Sequence, residues 1–192
     1  MLFTTDVLSF GEIQYQAIWL RVRLHDFETD KTYRTLAKKN MPFRTEITGL
    51  FLTPEHEKIF ANYKKHVPFE AAFSLRSLLY GDESENVFNT HLINMYDGDT
   101  LIATGAFDLG NESAAGIFSV YDPAYKRFSP GKYLIYEKMK FCKKEGFVYF
   151  YPGYYVPGYA RFDYKKDIGK GAIEYFDREK NEWLPHPPAP SP

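Results

Sequence analysis

The spacing of apolar positions in the first half of the chain indicates one strand followed by three helices. Ile18 to Leu24 alternates apolar and basic residues in its second half, as a half-buried strand does. Each helical stretch carries a start or stop signal: a capping side chain, a proline in the first turn or a closing glycine. The stretches are Lys31 to Lys39 after Asp30, Thr53-Pro54 to Lys65, and Glu70 to Tyr80 before Gly81.

From residue 90 onwards the period becomes that of strands. Thr90 to Tyr96 and Thr100 to Asp108 flank Asp97-Gly98, whose glycine permits the positive φ of a tight hairpin turn. Ala115 to Tyr121 predicts a third strand after a second turn. We therefore expect an antiparallel meander.

A helix after Gly131, stopped by Gly146, leads to another strand over Phe147 to Tyr151. One side of this helix is apolar, and its lysines are expected largely off that side. The apolar positions are Ile135, Met139 and Cys142, and the lysines are Lys138, Lys140, Lys143 and Lys144. Helices, meander, crossover helix and strand in this order predict an α+β fold with a mixed, mostly antiparallel sheet. We expect one domain over residues 1–185 and a proline-rich, disordered tail over 186–192.

The formal net charge of -1 over 192 residues conceals two oppositely charged segments. Residues 77–125 hold eight acids and no lysine or arginine, whereas residues 126–170 hold eleven basic residues against four acids. Two interpretations stay open: solvated faces of a sheet and a helix, or a basic surface for a polyanion.

Several kinds of chemistry have no support in the residues present. One cysteine excludes an internal disulfide, and the five histidines are scattered, so no metal and no cofactor is expected. Cys142 fits a buried, inert thiol. Serine-elbow, phosphate-loop and dinucleotide motifs are lacking. No secretion signal or spanning segment is visible, which predicts a cytoplasmic protein without a membrane partner.

The segment from Phe147 to Lys165 is unusually aromatic and carries cations at its end. Pro152 removes a ladder donor, so this strand should lie at an edge or separate from its neighbour there. A cleft between diverging strands, walled by tyrosines, suits an adenine ring and a phosphate. The alternative is that the aromatic rings belong to the core and only their hydroxyls reach solvent.

An ordered set of short motifs over about Trp19 to Trp183 resembles the C-terminal domain of arginyl-tRNA–protein transferases and bacterial leucyl-tRNA–protein transferases. The motifs are Leu20-Arg21-Val22, the Arg34 to Asn40 helix, Tyr121-Asp122-Pro123, Ser129-Pro130-Gly131-Lys132-Tyr133, Gly146, Tyr149-Phe150-Tyr151-Pro152-Gly153-Tyr154-Tyr155-Val156, Tyr164-Lys165, Glu174 and Trp183. The resemblance implies a GNAT-type acyltransferase fold. It also implies transfer of an amino acid, arginine or leucine, from aminoacyl-tRNA to the N-terminal amine of an acceptor protein.

The sequence departs from the family pattern in places. The family's cysteine pair, part of a metal or iron–sulfur site, falls on Gln14 and Ala17, so the N-terminal cysteine module is expected to be missing. Arg161-Phe162 stands where the family has Lys-Met, and Pro152 replaces a leucine. The spacing from Lys165 to Glu174 is about two residues longer.

The resemblance and the chemistry of aminoacyl transfer together give a candidate site. Asp122 is expected to orient or deprotonate the amine, unless it only caps the turn before Pro123. Amides around Gly131, beside Lys132, are candidates to hold a phosphate or the oxyanion. The candidate catalytic residues are Asp122 and Tyr155, and the candidate substrate and tRNA contacts are Gly131, Lys132, Tyr154, Arg161, Tyr164, Lys165 and Glu174.

Two other functions stay open. One is a catalytically silent GNAT-like domain that binds a peptide or a tRNA end. The other is an acyl-CoA-dependent N-acyltransferase, against which the single glycine in Arg127 to Gly131 counts, because acetyl-CoA users have a glycine-rich pyrophosphate loop.

Overall fold

Ten strands occur within residues 7–10, 12–67, 72–81, 83 and 85–187, which the computed structural model describes. Two form a separate hairpin, β1 Val7–Phe10 and β2 Ile13–Gln16. The other eight form one sheet. They are β3 Ile18–Arg23, β4 Arg44–Gly49, β5 Thr90–Asp97, β6 Thr100–Leu109, β7 Ser113–Tyr121, β8 Tyr149–Tyr155, β9 Ile173–Asp177 and β10 Glu182–Leu184.

Helices cover the sheet and connect its strands. The α-helices are α1 Lys31–Asn40, α2 Pro54–Lys64, α3 Leu75–Tyr80 and α4 Pro130–Lys144. Two 3₁₀ helices, Pro123–Phe128 and Ala160–Asp167, flank α4 and β8 along the chain. The Asp30 carboxylate accepts a hydrogen bond of 2.7 Å from the Tyr33 amide, which confirms the predicted cap of α1.

The strand order is β10-β9-β3-β8-β7-β6-β5-β4, and the predicted meander β5-β6-β7 and the crossover through α4 are confirmed. All neighbouring strands are antiparallel except β7 and β8, which pair in parallel. A parallel pair needs a crossover connection, and α4 supplies it. The α+β fold with a mostly antiparallel sheet is as predicted.

Alternating side chains of the strands pack into hydrophobic clusters on both faces of the sheet. Ile93 and Phe107 belong to the larger core, together with Leu36 of α1 and Met139 of α4. Val120 packs with Ile59 and Phe60 of α2 and with Leu75 of α3 on the other face. The sheet therefore lies between α1 and α4 on one side and α2 and α3 on the other.

Two predicted boundaries change. The helix expected over Glu70 to Tyr80 begins only at Leu75, because the Ser74 hydroxyl accepts from the Ser77 amide and caps the helix there. Residues 70 and 71 of that prediction lie outside the described residues. The strand expected over Phe147 to Tyr151 is β8, which begins at Tyr149 and ends at Tyr155, four residues beyond the predicted end. β9 and β10 follow it and were not predicted. Most of the predicted tail, residues 188–192, also lies outside the described residues.

Candidate functional site

β7 and β8 separate after a short stretch of parallel pairing. Pairing covers Ser113 to Ala115 opposite Tyr149 to Tyr151. Pro152 follows directly, and its nitrogen has no hydrogen to donate to β7. β7 continues along β6 as far as Tyr121, whereas β8 continues along β3. Of the two outcomes expected at Pro152, the strand is not at an edge but separates from its neighbour, and this separation opens a gap in the sheet.

A cavity of about 460 Å³ occupies this gap. Its walls come from β7, β8, α2, both 3₁₀ helices and the first turns of α4. Four lysines line it, Lys126, Lys132, Lys138 and Lys165, and none of the described residues that line it is an acid. Four cations without a carboxylate in one cleft favour an anionic ligand.

The first turn of α4 forms part of the cavity wall. Pro130 occupies the start of the helix after Ser129, whose φ of 54° turns the chain into it. Gly131 and Lys132 both line the cavity, as the prediction for an anion site requires. A Cβ on Gly131 would lie 3.3 Å from the Tyr121 ring, so a larger residue would press on the opposite wall. The helix N-terminus adds a favourable dipole for a negative charge.

Lys165 lies over an aromatic surface beside the cavity. Its Nζ is 5.0 Å from the Tyr154 ring centroid and 5.3 Å from that of Phe162. It also lies 2.9 Å from the position that a Cβ on Gly153 would take, so a side chain there would displace the lysine, and the φ of 95° at Gly153 itself favours glycine. Burial lowers the pKa of Lys165 to about 8. No ion pair or hydrogen bond ties its Nζ to another described residue, so this cation is available to a ligand.

Lys138 lines the cavity, although the pattern of α4 predicted it elsewhere. It was expected off the apolar side of α4, yet it is 1% exposed and packs under the sheet. The helical period puts position 138 on the same side as Ile135 and Cys142. Its Nζ donates to the carbonyl oxygens of Ala106 and Phe118 at 2.9 and 2.6 Å, and burial lowers its pKa to about 7. A lysine on an apolar stripe was the signal that could have revealed it.

Asp122 stands beside the cavity wall and makes the contact of a turn cap. Its Oδ1 accepts from the Ala124 amide at 3.0 Å and lies 3.5 Å from Nδ2 of Asn62. Asp122 directly follows Tyr121, which lines the cavity, but is not itself a lining residue. Asp122 therefore caps the turn before Pro123, one of the two roles expected from the sequence. Its other expected role, orienting or deprotonating the acceptor amine, stays a prediction.

The other predicted residues divide between the cavity and the sheet. Tyr164 lines the cavity and is 37% exposed. Tyr154 lies behind Lys165, and the Tyr155 ring is 5.0 Å from Nζ of Lys166 and packs on Tyr175. The backbone of Arg161 belongs to the 3₁₀ helix that covers the cavity.

Glu174 is not brought to the cavity. Its carboxylate accepts a hydrogen bond of 2.6 Å from Nε of Arg21 between β9 and β3. The Arg21 guanidinium is also sandwiched between the Tyr149 and Trp183 rings, at 4.2 and 4.5 Å. Arg21, Glu174 and Trp183, which belong to the motifs of the resemblance, thus stabilise the side of the sheet that ends in β10.

The described residues contain no group of three or more histidine, cysteine, aspartate or glutamate side chains that could hold a metal ion. Cys142 is fully buried, and burial raises the pKa of its thiol to about 12, which confirms an inert thiol. Nor does any helix in the described part of the chain have the length and apolarity needed to cross a membrane.

A mostly antiparallel sheet with flanking helices that opens between two parallel strands is the predicted GNAT-type fold. Solved structures that share it include the following two. FemX superimposes with a TM-score of 0.57 at 9% identity, covering 86% of this chain and 61% of FemX. A GCN5-related glucosamine N-acetyltransferase region of a fungal multi-domain β-N-acetylglucosaminidase gives 0.51 at 12%, covering 83% of this chain and 19% of that one. At these identities the likeness concerns the fold alone.

The family follows from the sequence comparison. Residues 30–174, about three quarters of the chain, match the family described as arginine-tRNA-protein transferase, C terminus. The chain belongs to this family, as its motifs predicted.

Named relatives agree with the family. An aspartate/glutamate leucyltransferase of Paracoccus denitrificans is 29% identical over 179 residues, which is 80% of this chain and 62% of the relative. The protein of the same name from Leptospira interrogans is 28% identical over 172 residues, 85% of this chain and 66% of the relative. The chain thus spans a little under two thirds of the length of these relatives.

Proposed function

We propose that the chain transfers an amino acid from aminoacyl-tRNA to the N-terminal amine of an acceptor protein. The lysine-lined cavity between β7 and β8 carries this proposal. It lies where the fold leaves the sheet open, and its charge suits a substrate with phosphates at one end. Aminoacyl-tRNA as the donor also fits the predicted cytoplasmic location.

Two groups of residues suit the two substrates. Tyr164 in the cavity wall and Tyr154 beside Lys165 offer rings for the terminal adenosine, and Lys165 offers a charge for its phosphate. Tyr155 packs beside Lys166, outside the cavity wall, and is proposed as a further contact to the same end of the tRNA. Lys132 and the amides at Gly131 would stabilise an oxyanion or an acidic side chain of the acceptor. Arg161 lies in the same 3₁₀ helix as Lys165, and we propose it as a further tRNA contact.

The names of the relatives narrow the proposal. They are leucyltransferases acting on aspartate or glutamate, whereas the family description names arginine. A cavity lined by lysines accepts an acidic N-terminal residue better than a basic one. We therefore propose leucine as the transferred residue and an N-terminal aspartate or glutamate on the acceptor. Glu174 is paired with Arg21 and, in this proposal, stabilises the sheet and does not contact the substrate.

Asp122 is proposed to attract and orient the acceptor amine from beside Tyr121. The Asp122 carboxylate would then attract the positively charged or polar amine of the acceptor, and the cavity lysines would attract the anionic groups of the substrates. Because an asparagine oxygen can still cap the turn, Asp122→Asn should raise KM for the acceptor peptide several-fold without changing the melting temperature.

The full chain mixed with labelled leucyl-tRNA or arginyl-tRNA and an Asp-initiated peptide tests the proposal. We expect leucine on the peptide N-terminus, and no transfer to a matched Lys-initiated peptide. Binding of tRNA without transfer from either would instead support a silent binding domain. Modification of the peptide only with an acyl-CoA would contradict the proposal and support an acyl-CoA-dependent N-acyltransferase.

A further inference from the structure

The Lys138 amine has three oxygen neighbours and no carboxylate among them. Nζ lies 2.9 Å from the Ala106 carbonyl, 2.6 Å from the Phe118 carbonyl and 3.2 Å from Oγ of Ser119. The register between β6 and β7 shifts at this point, because Ala106 pairs with Phe118 whereas Phe107 pairs with Gly116. The bulge turns both carbonyls toward the lysine.

Space for this amine depends on Gly105. A Cβ there would lie 2.7 Å from Nζ of Lys138 and 2.9 Å from Oγ of Ser119. Lys138 is fully buried, whereas Ser119 is half-buried and lines the cavity. The Ser119 hydroxyl thus connects the buried amine with the space that the substrates would occupy.

The surroundings let Lys138 exist in its neutral form. Loss of water lowers its pKa to about 7. The titratable group that acts on it from its own helix is the Cys142 thiol, which stays protonated because its pKa is raised to about 12. Beside Ser119, β6 and β7 present backbone carbonyls, and β8 contributes Phe150 and Pro152. The other charges facing the cavity are Lys126 and Lys165 of the 3₁₀ helices and Lys132 of α4.

Both protonation states of Lys138 are satisfied by these three oxygens. The ammonium form donates one hydrogen to each carbonyl and one to Ser119. The neutral form donates its two hydrogens to the carbonyls and turns its lone pair to the Ser119 hydroxyl. Ser119 then donates to Lys138 and offers its own lone pairs to the cavity.

We propose that Ser119 and Lys138 form a proton relay for the aminoacyl transfer proposed above, on which the relay rests. The neutral amine of the acceptor attacks the ester carbonyl, and the C–N bond forms. The nitrogen gives a proton to Oγ of Ser119 as Ser119 passes its own proton to Lys138. The C–O bond to the tRNA ribose then breaks, and the ribose oxygen takes the stored proton back through Ser119. One proton moves from nitrogen to oxygen, and no co-reactant is consumed.

Single-turnover transfer from leucyl-tRNA to the Asp-initiated peptide tests the relay in the full chain. Ser119→Ala should lower the transfer rate constant about 100-fold, the usual effect of losing a general base, with tRNA affinity changed less than about threefold. Ser119→Thr keeps a hydroxyl and should recover most of the rate. Ser113→Ala, on the same strand outside the cavity, should match the wild type.

The pH profile separates the relay from a structural role of Ser119. Lys138 accepts a proton only when neutral, so the wild-type rate should rise with pH through about 7 as well as through the titration of the acceptor amine. In Ser119→Ala, the rate should rise with pH only through the titration of the acceptor amine. A Ser119→Ala rate equal to the wild-type rate would overturn the relay alone. Absence of transfer by the wild type would overturn the proposed function, and the relay with it.

A measurement without turnover completes the test. Carbon-13 NMR of the lysine side chains should show one residue titrating near pH 7, assigned as Lys138 by its absence in Lys138→Arg. Ser119→Ala keeps the kinetic test independent of whether that variant folds. A Lys138 midpoint above about 10 would also overturn the relay, because an amine that stays charged accepts no proton.

Discussion

Two lysines of the cavity differ from surface lysines because each has lost water without gaining a carboxylate. Lys165 exchanges water for the rings of Tyr154 and Phe162, and Lys138 exchanges it for two carbonyl oxygens and a hydroxyl. Both changes lower the pKa, to about 8 and about 7 respectively. Lys165, whose pKa is lowered less, stays mostly charged at neutral pH and suits anion binding. Lys138, whose pKa is lowered more, suits proton transfer.

Binding of aminoacyl-tRNA should therefore weaken as pH rises through the Lys165 titration. The charged form attracts phosphate, and it is present below a pKa of about 8 and lost above it. Lys165→Met should weaken binding about tenfold at pH 6.5, which is the loss of one charge-assisted contact. Filter binding at constant salt, at pH 6.5 and pH 9, measures both effects.

Lys144 provides the matched control for Lys165. It belongs to the same basic segment of the sequence but lies exposed in the last turn of α4, away from the residues that line the cavity. Lys144→Ala should change the affinity less than twofold. If Lys144→Ala and Lys165→Met weaken binding equally, the attraction comes from overall charge and not from the cavity.

At the scale of elements, local patterns predicted the parts whose determinants are close in sequence. The hairpin at Asp97-Gly98 and the separation at Pro152 each follow from one residue's backbone chemistry. β4 was not predicted, because this edge strand, Arg44–Gly49, has little buried surface and no alternation of apolar residues. Lys138 was misplaced because its partners lie 32 and 20 residues away, on a bulge that only the pairing of β6 and β7 creates.

Packing of α4 on this bulge should depend on Gly105. Its alanine variant would bring Cβ to 2.7 Å from both Nζ of Lys138 and the Phe118 carbonyl, so the strands or the helix must shift. Overpacking of this kind costs about 1–3 kcal/mol, which urea unfolding would measure. Gly49→Ala is the control, because a Cβ on this β4 residue meets nothing within 4 Å and should change stability by less than about 0.5 kcal/mol. Equal effects of the two variants would show that Gly105 is not specially constrained.

At the scale of the whole molecule, the near-zero net charge arises from segments whose charges the fold uses differently. Of the eleven basic residues in 126–170, four line the cavity. Others serve the fold: Lys140 pairs with Glu137, and Lys143 donates to the carbonyl oxygens of His25 and Phe27. Both interpretations of the basic segment therefore hold in part, because some of its lysines line the opening of the sheet and others lie elsewhere on the fold. A count along the sequence could not separate these roles.

The buried Lys138 should also make the stability of the whole chain depend on pH. In the unfolded chain a lysine titrates near 10.4, whereas the folded pKa is about 7. Between these values the unfolded state binds one more proton, so the free energy of unfolding rises with pH. Relative to Lys138→Met, the wild type should gain about 1.4 kcal/mol for each pH unit between 7.5 and 9. The slope, unlike the absolute difference, is independent of how well methionine fills the site.

Urea unfolding of both proteins at pH 7.5, 8.2 and 9 measures this slope, because contributions of the other titrating groups cancel in the difference. A difference that stays constant over this range would mean that Lys138 keeps its proton in the folded protein. Such a lysine would be a permanent cation held by the Ala106 and Phe118 carbonyls, able to stabilise the bulge but unable to receive a proton from Ser119. The pH dependence of folding therefore distinguishes a structural lysine from a proton acceptor without any substrate.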